Sequence, residues 1–476
     1  MLVGQTIINF AANVISAAFG LVNVMLYTRL LMPEEYGHYI LAFAAAGITT
    51  TLTTTWLRLP IMQEQARCDG TDVRGFLASG LVASTILAPT SFVITLCIGL
   101  PLAPALASVT LAVAVGLFDT SVELLRARLQ AFAIMKAIIL RAILVSLLGV
   151  TFILLAHSGA LLLVATATGY LLACVALFRP AWHGTKLQYD ISKLVSLAKS
   201  GLPLTLSLTL LSLSSVADRF VIAHLLDTAA AGKFTAGVDL VRQALVIPAV
   251  SASAAYVPFA VQIHANQGEN AVRDHLEESF EFLFAVVLPA CIGFALLSSN
   301  IADIIIGTDF RPVAKAVMPI VSIALIFQIM SYQYLHLSFL LSKRNTFYLI
   351  NTVAALVVNV VVSYFLIQRF GTVGAAWGRL AAEAVGFLSA LLLTYRAFPL
   401  PFPLARLTRV LVATLVMIAA VRLLQIEFTL PANTGTIVLF ATGIGVYAIM
   451  SWLLDIARCR HRLSRGLMVM RRAIAS

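Results

Sequence analysis

Charge is what this chain has least of. Asp, Glu, Lys and Arg make up 11% of its 476 residues, against 61% hydrophobic ones, where an ordinary soluble domain is about a quarter charged. With a mean hydropathy of +0.98, it has too little polar surface to fold in water. Cysteine is scarce as well: Cys68, Cys97, Cys174, Cys291 and Cys459 form no CxxC pair and no His/Cys ligand spacing. Neither a disulfide framework nor a metal site is expected, and no cofactor. No GxxxxGK followed by Ser or Thr is present, which excludes an ATP-driven pump within this chain, and none of the 8 histidines forms HExxH. Long polar connections are missing too, so there is no room for the outer catalytic loop of a membrane glycosyltransferase or polymerase. These absences leave a polytopic membrane protein without the signatures of those enzymes.

What is present is a succession of apolar runs. A crossing of the ~30 Å hydrocarbon layer takes roughly 20 residues at about 1.5 Å each. About fourteen such spans fit, beginning near residues 4, 38, 76, 103, 137, 159, 196, 231, 276, 314, 347, 371, 407 and 435. The run from Leu2 has no basic segment before it and is too long for a signal-peptide core, so it is expected to be the first membrane helix. The formal charge of +11 is scattered through short connections, where it reports topology and not nucleic-acid binding. Placing both termini in the cytoplasm puts most of the 32 lysines and arginines on the inner side, among them Arg58, Arg67, Arg74, Arg126, Arg141, Lys186, Lys343 and the arginines from Arg458 to Arg472.

The stretch TRLLMPEEYGHY, residues 28–39, interrupts the first two runs. Pro33 is preset for a helix start, and Glu34 and Glu35 suit the positive end of the returning helix. A tight outer turn explains it without a ligand. Displaced by 195 residues, the stretch lies over AHLLDTAAAGKF at 223–234. Leu30 then meets Leu225, Leu31 meets Leu226, Gly37 meets Gly232, and Tyr39 meets Phe234. Parallel repeats of six helices follow, with lobes at 1–179 and 196–400 joined by a cytoplasmic linker at 180–195. Two additional helices occupy 401–457, and a basic tail 458–476.

The turn TRLLMPEEYGHY, the segment SGLPLTLSLTLLSLSSVADRFVIAHLL and the following GKFTAGVDLVRQALVIPAVSASAAYVP together resemble the polysaccharide transporters of the multidrug/oligosaccharidyl-lipid/polysaccharide superfamily. The likeness is to Wzx-type flippases of O-antigen and exopolysaccharide repeat units. Met32 stands where such proteins usually carry glycine. The resemblance implies an all-α bundle of about fourteen helices and a cavity open by turns to either side of a bacterial inner membrane. It also implies a substrate, undecaprenyl-pyrophosphate-linked oligosaccharide, flipped from the cytoplasmic to the periplasmic leaflet. Membrane lipids would be partners, and a polysaccharide polymerase or glycosyltransferases would work alongside.

A diphosphate crossing a low-dielectric layer needs cations facing a wet cavity, and guanidinium grips phosphate oxygens in bidentate fashion. Arg242, in VDLVRQALVIP, is the first candidate, and it matches an arginine-bearing stretch of the lipid II branch. Asp239, one turn away, either neutralises it or works beside it. Arg29 and Arg58 either face the cavity, as similar positions in the family do, or snorkel to the nearest interface. Asp218 with Arg219 reads as an interfacial pair and Arg379 with Glu383 as a self-neutralising one. Asp119 and Glu123 either titrate and couple transport to protons or lean into cytoplasmic water. Pro203, Pro248, Pro258, Pro289, Pro319, Gly374 and Gly378 are candidate bending points. Two rival functions remain: an ion-coupled drug exporter of the same superfamily, and a non-transport scaffold for glycan assembly docked through the tail. The topology is tested by a C-terminal reporter. A cytoplasmic-only fluorophore fused there is expected to be active, and a periplasm-dependent phosphatase silent.

Overall fold

A computed structural model describes residues 2–58, 74–128, 130–185, 191–342, 344–427 and 432–459. Arg67, Cys68, Lys186, Lys343 and the tail arginines from Arg460 onward lie outside them. The described chain is helical, without a strand. In order the helices are α1 (Leu2–Leu30), α2 (Pro33–Arg58), α3 (Arg74–Thr85), α4 (Thr90–Cys97), α5 (Leu102–Ala127), α6 (Ala131–Ala156), α7 (Gly159–Trp182) and α8 (Ile191–Leu225). There follow α9 (Thr228–Gln267), α10 (Glu269–Ile305), α11 (Arg311–Met330), α12 (His336–Leu341), α13 (Asn345–Ala397), α14 (Leu404–Glu427) and α15 (Ala432–Leu453).

Twelve described stretches are long and apolar enough to cross a membrane. One of them, Thr346–Ala397, has 52 residues, and as a straight helix it would run about 80 Å, more than twice the hydrocarbon thickness. It folds back at Gly371 (φ 57°, ψ −139°) and so holds the spans expected from 347 and 371. Gly374 and Gly378 then let its arms approach: a Cβ there would lie 2.1 Å from the Leu366 carbonyl oxygen and 2.8 Å from Ser363 Cα respectively. They are close-packing positions of the small-xxx-small kind, and the sharp reversal belongs to Gly371. The span expected from 231 lies within α9. The expected pattern of about fourteen crossings therefore fits the fold.

By packing, the chain divides into two units. The first is Met1–Gln243 with Ile306–Ala314 and Ala355–Gly378, and the second is Ala244–Ile305, Lys315–Ala354 and Arg379–Ser476. In the second, α10 packs against α14 and α15. Glu281 accepts from the Ala457 N–H at 2.8 Å, Arg458 pairs with Glu278 at 2.6 Å, and Arg406 lies 3.6 Å from Glu277 and Glu281. Between α11 and α12 a wider turn at Ser331–Leu335 frees the Gln333 carbonyl, which accepts from the Tyr256 hydroxyl at 2.7 Å.

In the first unit α2 packs against α5 and α8, while α6 and α7 pack on one another and on α1 and α5. The polar tract TTTLTTT of α2 survives in an apolar setting because its hydroxyls are used locally. Thr51, Thr53 and Thr54 donate to carbonyls one turn back at 2.8–2.9 Å, and Thr50 donates to Ala112 of α5 at 3.0 Å. The expected span from 76 is broken between α3 and α4. Its turn keeps the backbone satisfied, with Ile86, Leu87 and Ala88 donating three residues back at 3.1–3.2 Å.

The repeat appears in bond detail. Leu31 donates to the Tyr27 carbonyl at 2.9 Å and Tyr36 to Met32 at 3.0 Å. At the 195-residue displacement, Leu226 donates to Ile222 at 2.9 Å and Ala231 to Asp227 at 3.3 Å. The α1–α2 and α8–α9 turns also touch each other reciprocally. A Cβ on Gly37 would lie 2.0 Å from the Thr228 carbonyl oxygen, and one on Gly232 would lie 2.5 Å from that of Pro33. The two contacts interchange under the same displacement, so a local two-fold axis runs between the turns. Pro33, Glu34 and Glu35 open α2 as expected. Glu35 does more than complement the helix end, since it accepts from the Gly159 N–H at 2.6 Å and ties the turn to α7.

Gly37→Val puts a side chain into backbone that no rotamer can avoid, and overpacking of this kind typically costs about 1–3 kcal/mol. The melting temperature of the detergent-solubilised protein is expected to fall by several degrees. Gly47→Ala, where a Cβ meets nothing within 4 Å, is expected to leave it unchanged.

Candidate functional site: a cationic cavity under the paired turns

Six helices of the first unit surround a cavity of about 580 Å³. α1 contributes Ser16, Asn23 and Tyr27, and α2 contributes Tyr36, Tyr39, Phe43 and Gly47. α6 adds Arg141, α7 adds Thr166 and Tyr170, α8 adds Ser212 and Arg219, and α9 adds Asp239, Arg242 and Gln243. Depth follows from helix rise. Arg242 lies fourteen residues into α9 and Arg141 fifteen residues before the end of α6, each about 21–22 Å below the turn end. Arg219, six residues before the end of α8, lies about 9 Å below it. The cavity therefore runs from just beneath the glycine contact to below mid-membrane. Above it the turns are packed: Phe310 meets the Tyr36 ring edge-on at 5.4 Å, and Gly307 N–H donates to Thr28 Oγ1 at 3.1 Å.

Four charged side chains line this space, three arginines and one aspartate. Asp239, expected beside Arg242, reaches across to α8, where its Oδ1 accepts from Arg219 Nη2 at 2.5 Å. The Asp218 carboxylate accepts from the backbone N–H of Arg219 at 2.9 Å, so the paired aspartate comes from the next helix and not from the next residue. Arg141 donates to Ser16 Oγ at 2.8 Å and to Tyr170 at 3.4 Å. Its guanidinium lies 5.2 Å from the Tyr170 ring centroid and 5.3 Å from that of Phe118. Stacking and hydrogen bonds hold this cation in place without neutralising it. Two buried polar atoms on lining residues, Asn23 Oδ1 and Arg219 Nε, have no hydrogen-bond partner.

Of the residues expected in the site, Arg242 and Asp239 line the cavity, and Arg219 joins them. Arg58 does not. It pairs with Asp119 of α5 at 2.7 Å and bonds Thr55 at 3.1 Å. Arg29 is exposed at the end of α1 and is not among the lining residues. Glu123 pairs with Arg126 at 2.7 Å; with Asp119 held by Arg58, both carboxylates of α5 have cationic partners. Glu383, in the second unit, accepts from Gln328 Nε2 at 2.5 Å, and Arg379 is fully buried. Arg141 was assigned by sequence to an inner helix end, and the structure corrects this: it stands in the interior of α6. The signal was there, an arginine ten residues into the apolar run AFAIMKAIILRAILVSLL.

A sequence profile described as polysaccharide biosynthesis protein matches residues 2–264, a range that holds every residue lining the cavity. Among solved structures the chain is similar to the lipid II flippase MurJ in an inward closed conformation. That likeness has 14% identity and a TM-score of 0.77, and it covers 94% of this chain and 99% of that one. A multidrug resistance MATE family transporter of the MOP superfamily, facing inward, is similar at 14% identity over 82% of this chain and 97% of that one, with a TM-score of 0.64. A MOP superfamily transporter from Pyrococcus furiosus, noted for the reversed polarity of its binding pocket, gives 14% identity, 83% and 96% coverage and a TM-score of 0.56. At these identities the likeness is one of fold. No curated sequence matches the chain.

The Arg219–Asp239 pair is testable by itself. Asp239→Asn leaves Arg219, only 7% exposed in its side chain, without its anion, and breaking a buried pair from one side costs about 3–5 kcal/mol. Unfolding in mixed micelles is expected to show that loss. The double variant with Arg219→Gln should recover a large part of it.

Proposed function

The chain belongs to the polysaccharide biosynthesis protein family, and from that premise we propose that it flips an undecaprenyl-pyrophosphate-linked oligosaccharide from the cytoplasmic to the periplasmic leaflet of a bacterial inner membrane. The single observation behind this reading is the cavity's balance of charge, three arginines against one aspartate. A diphosphate is the kind of anion that such a lining attracts. Arg242 and Arg141, at similar depth, are assigned the phosphate oxygens, in the bidentate geometry that guanidinium favours.

The rest of the lining suits the sugar next to the diphosphate. Tyr27, Tyr39, Tyr170 and Phe43 offer ring faces, and Asn23, Ser16, Ser212 and Gln243 offer hydrogen bonds to hydroxyls. A volume of about 580 Å³ lies within the ~300–1,000 Å³ typical of small-ligand sites and suits the linkage region, not a whole repeat unit. On this proposal the two six-helix repeats, 1–179 and 196–400, alternate access, the glycine-paired turns face the periplasm, and both termini are cytoplasmic. The membrane potential assists, because moving a negative charge outward across an inside-negative membrane is favourable by about 2.3 kcal/mol per 100 mV. A cation exporter would call for the opposite sign in the cavity.

The test is complementation of a strain lacking its own flippase for a defined repeat unit. Hydrogen bonds to charged groups contribute about 1.5–3 kcal/mol, so Arg242→Ala and Arg141→Ala are each expected to cut surface polysaccharide at least tenfold at unchanged membrane abundance. Lysine at either position should restore part of it. Arg58→Ala, outside the cavity, should export normally. Normal export by the Arg242 and Arg141 variants would overturn the assignment.

A further inference from the structure

A second cavity, of about 380 Å³, lies in the first unit on the α5 side of α2. Leu81, Val82, Ala88, Ala112, Val113 and Leu117 form most of its wall, with Thr53 and Thr54 on the α2 side. Those threonines spend their hydroxyls on their own helix at 2.8 and 2.9 Å, which turns their methyl groups inward. The break between α3 and α4 borders the cavity through Ser84, Thr85 and Ala88. Around that break Val82, Ile86 and Leu87 are 49%, 75% and 51% exposed, as residues facing lipid are.

One end is different. Trp182 and Thr185, where α7 finishes, also line the cavity, and Trp182 donates to Ser121 of α5 at 2.8 Å. Ser121 stands six residues before the end of α5, about 9 Å along its axis. A helix of 26 residues runs about 39 Å, so it overshoots the ~30 Å core and brings this level near the boundary with the headgroups, where tryptophan concentrates. Two hydroxyls of the lining have no hydrogen-bond partner: Ser84 Oγ, at the α3–α4 break on a residue 3% exposed, and Thr185 Oγ1, at the Trp182 end. Buried hydroxyls left so call for an acceptor.

We propose that this cavity seats one acyl chain of a phospholipid from the leaflet on the Arg58 and Arg126 side. The chain runs along Leu81, Val113 and Leu117 toward the break, and its ester carbonyl accepts from Thr185 at the Trp182 end. The site is separate from the cationic cavity and does not depend on what that cavity carries. Its apolar wall selects hydrocarbon, and the Thr185 hydroxyl selects a chain that begins with a carbonyl.

Trp182 reports on it. Replacing Trp56, Trp377 and Trp452 with Phe leaves Trp182, which is 9% exposed, as the only tryptophan; a second variant retains Trp452 alone, 48% exposed, as the bulk-lipid reference. Both are reconstituted in dioleoyl phosphatidylcholine or in its chain-brominated counterpart. Bromine is expected to quench Trp182 as strongly as Trp452 despite its burial. Adding Val113→Phe, which fills the cavity, should reduce that quenching about twofold or more by excluding the chain, and Thr185→Ala should reduce it less. Quenching of Trp452 should not change. Should Val113→Phe fail to fold, Val82→Phe at the exposed mouth takes its place. The proposal is overturned if Trp182 is unquenched, or if filling the cavity leaves its quenching unchanged. Relief of quenching by a few mole per cent of undecaprenyl phosphate would also overturn it, because the site would then belong to a prenyl chain.

Discussion

An arginine at the middle of a membrane helix costs about 2.5–3.5 kcal/mol on the insertion scale, so each one retained there has to be answered by an anion, an aromatic face or water. The first unit shows the first two of these answers. Near the helix ends the answer is an anion: Arg58 takes Asp119 and Arg126 takes Glu123. Deeper, Arg219 takes Asp239 from the neighbouring helix. Arg141 is answered by the faces of Phe118 and Tyr170, and it shares a hollow with Arg242. Arg58 and Arg126 thus hold the two carboxylates of α5 outside the hollow, whose lining carries three arginines and one aspartate.

The paired turns give the hollow its lid. Leu30, Gly37 and the aromatic at 39 recur at 225, 232 and 234 because the two turns are copies of one structure meeting about a local axis. At such an axis each copy must fit against the other, and backbone can meet backbone only where no side chain intervenes. Gly37 and Gly232 are therefore one requirement expressed twice. The polar island at 28–39 is a seam between the repeats: Glu35 anchors it to α7 and Thr28 to Gly307.

Much of the fold was legible because membrane insertion writes itself in composition: the apolar runs and the polar turn at 28–39 both follow from local sequence. The site was less so. Arg242 stood out as a cation amid an apolar helix, yet Arg141 has the same signature in AFAIMKAIILRAILVSLL. It was assigned to a helix end because the span was expected to begin at 137, whereas the helix begins at Ala131. Pairings were harder still. Arg219 has Asp218 next to it, and Asp239 has Arg242 one turn on, so sequence spacing favours two local pairs. The structure joins Arg219 to Asp239 across two helices, a contact recorded in no spacing. Likewise Arg58 and Asp119 are 61 residues apart, and only the packing of α2 on α5 removes both from the candidate site.

That inter-helix pair also bears on release. A carrier must bind its cargo firmly enough to desolvate it and loosely enough to let it go, the same compromise that governs ions in channels. Three unopposed guanidinium groups in a low-dielectric hollow would hold a diphosphate too strongly for turnover. On the proposed reading, Asp239 already engages Arg219, and Arg141 and Arg242 stand at similar depth in the lining. On that reading, a diphosphate leaving toward the turns passes a guanidinium whose charge Asp239 already offsets, which favours release over retention there.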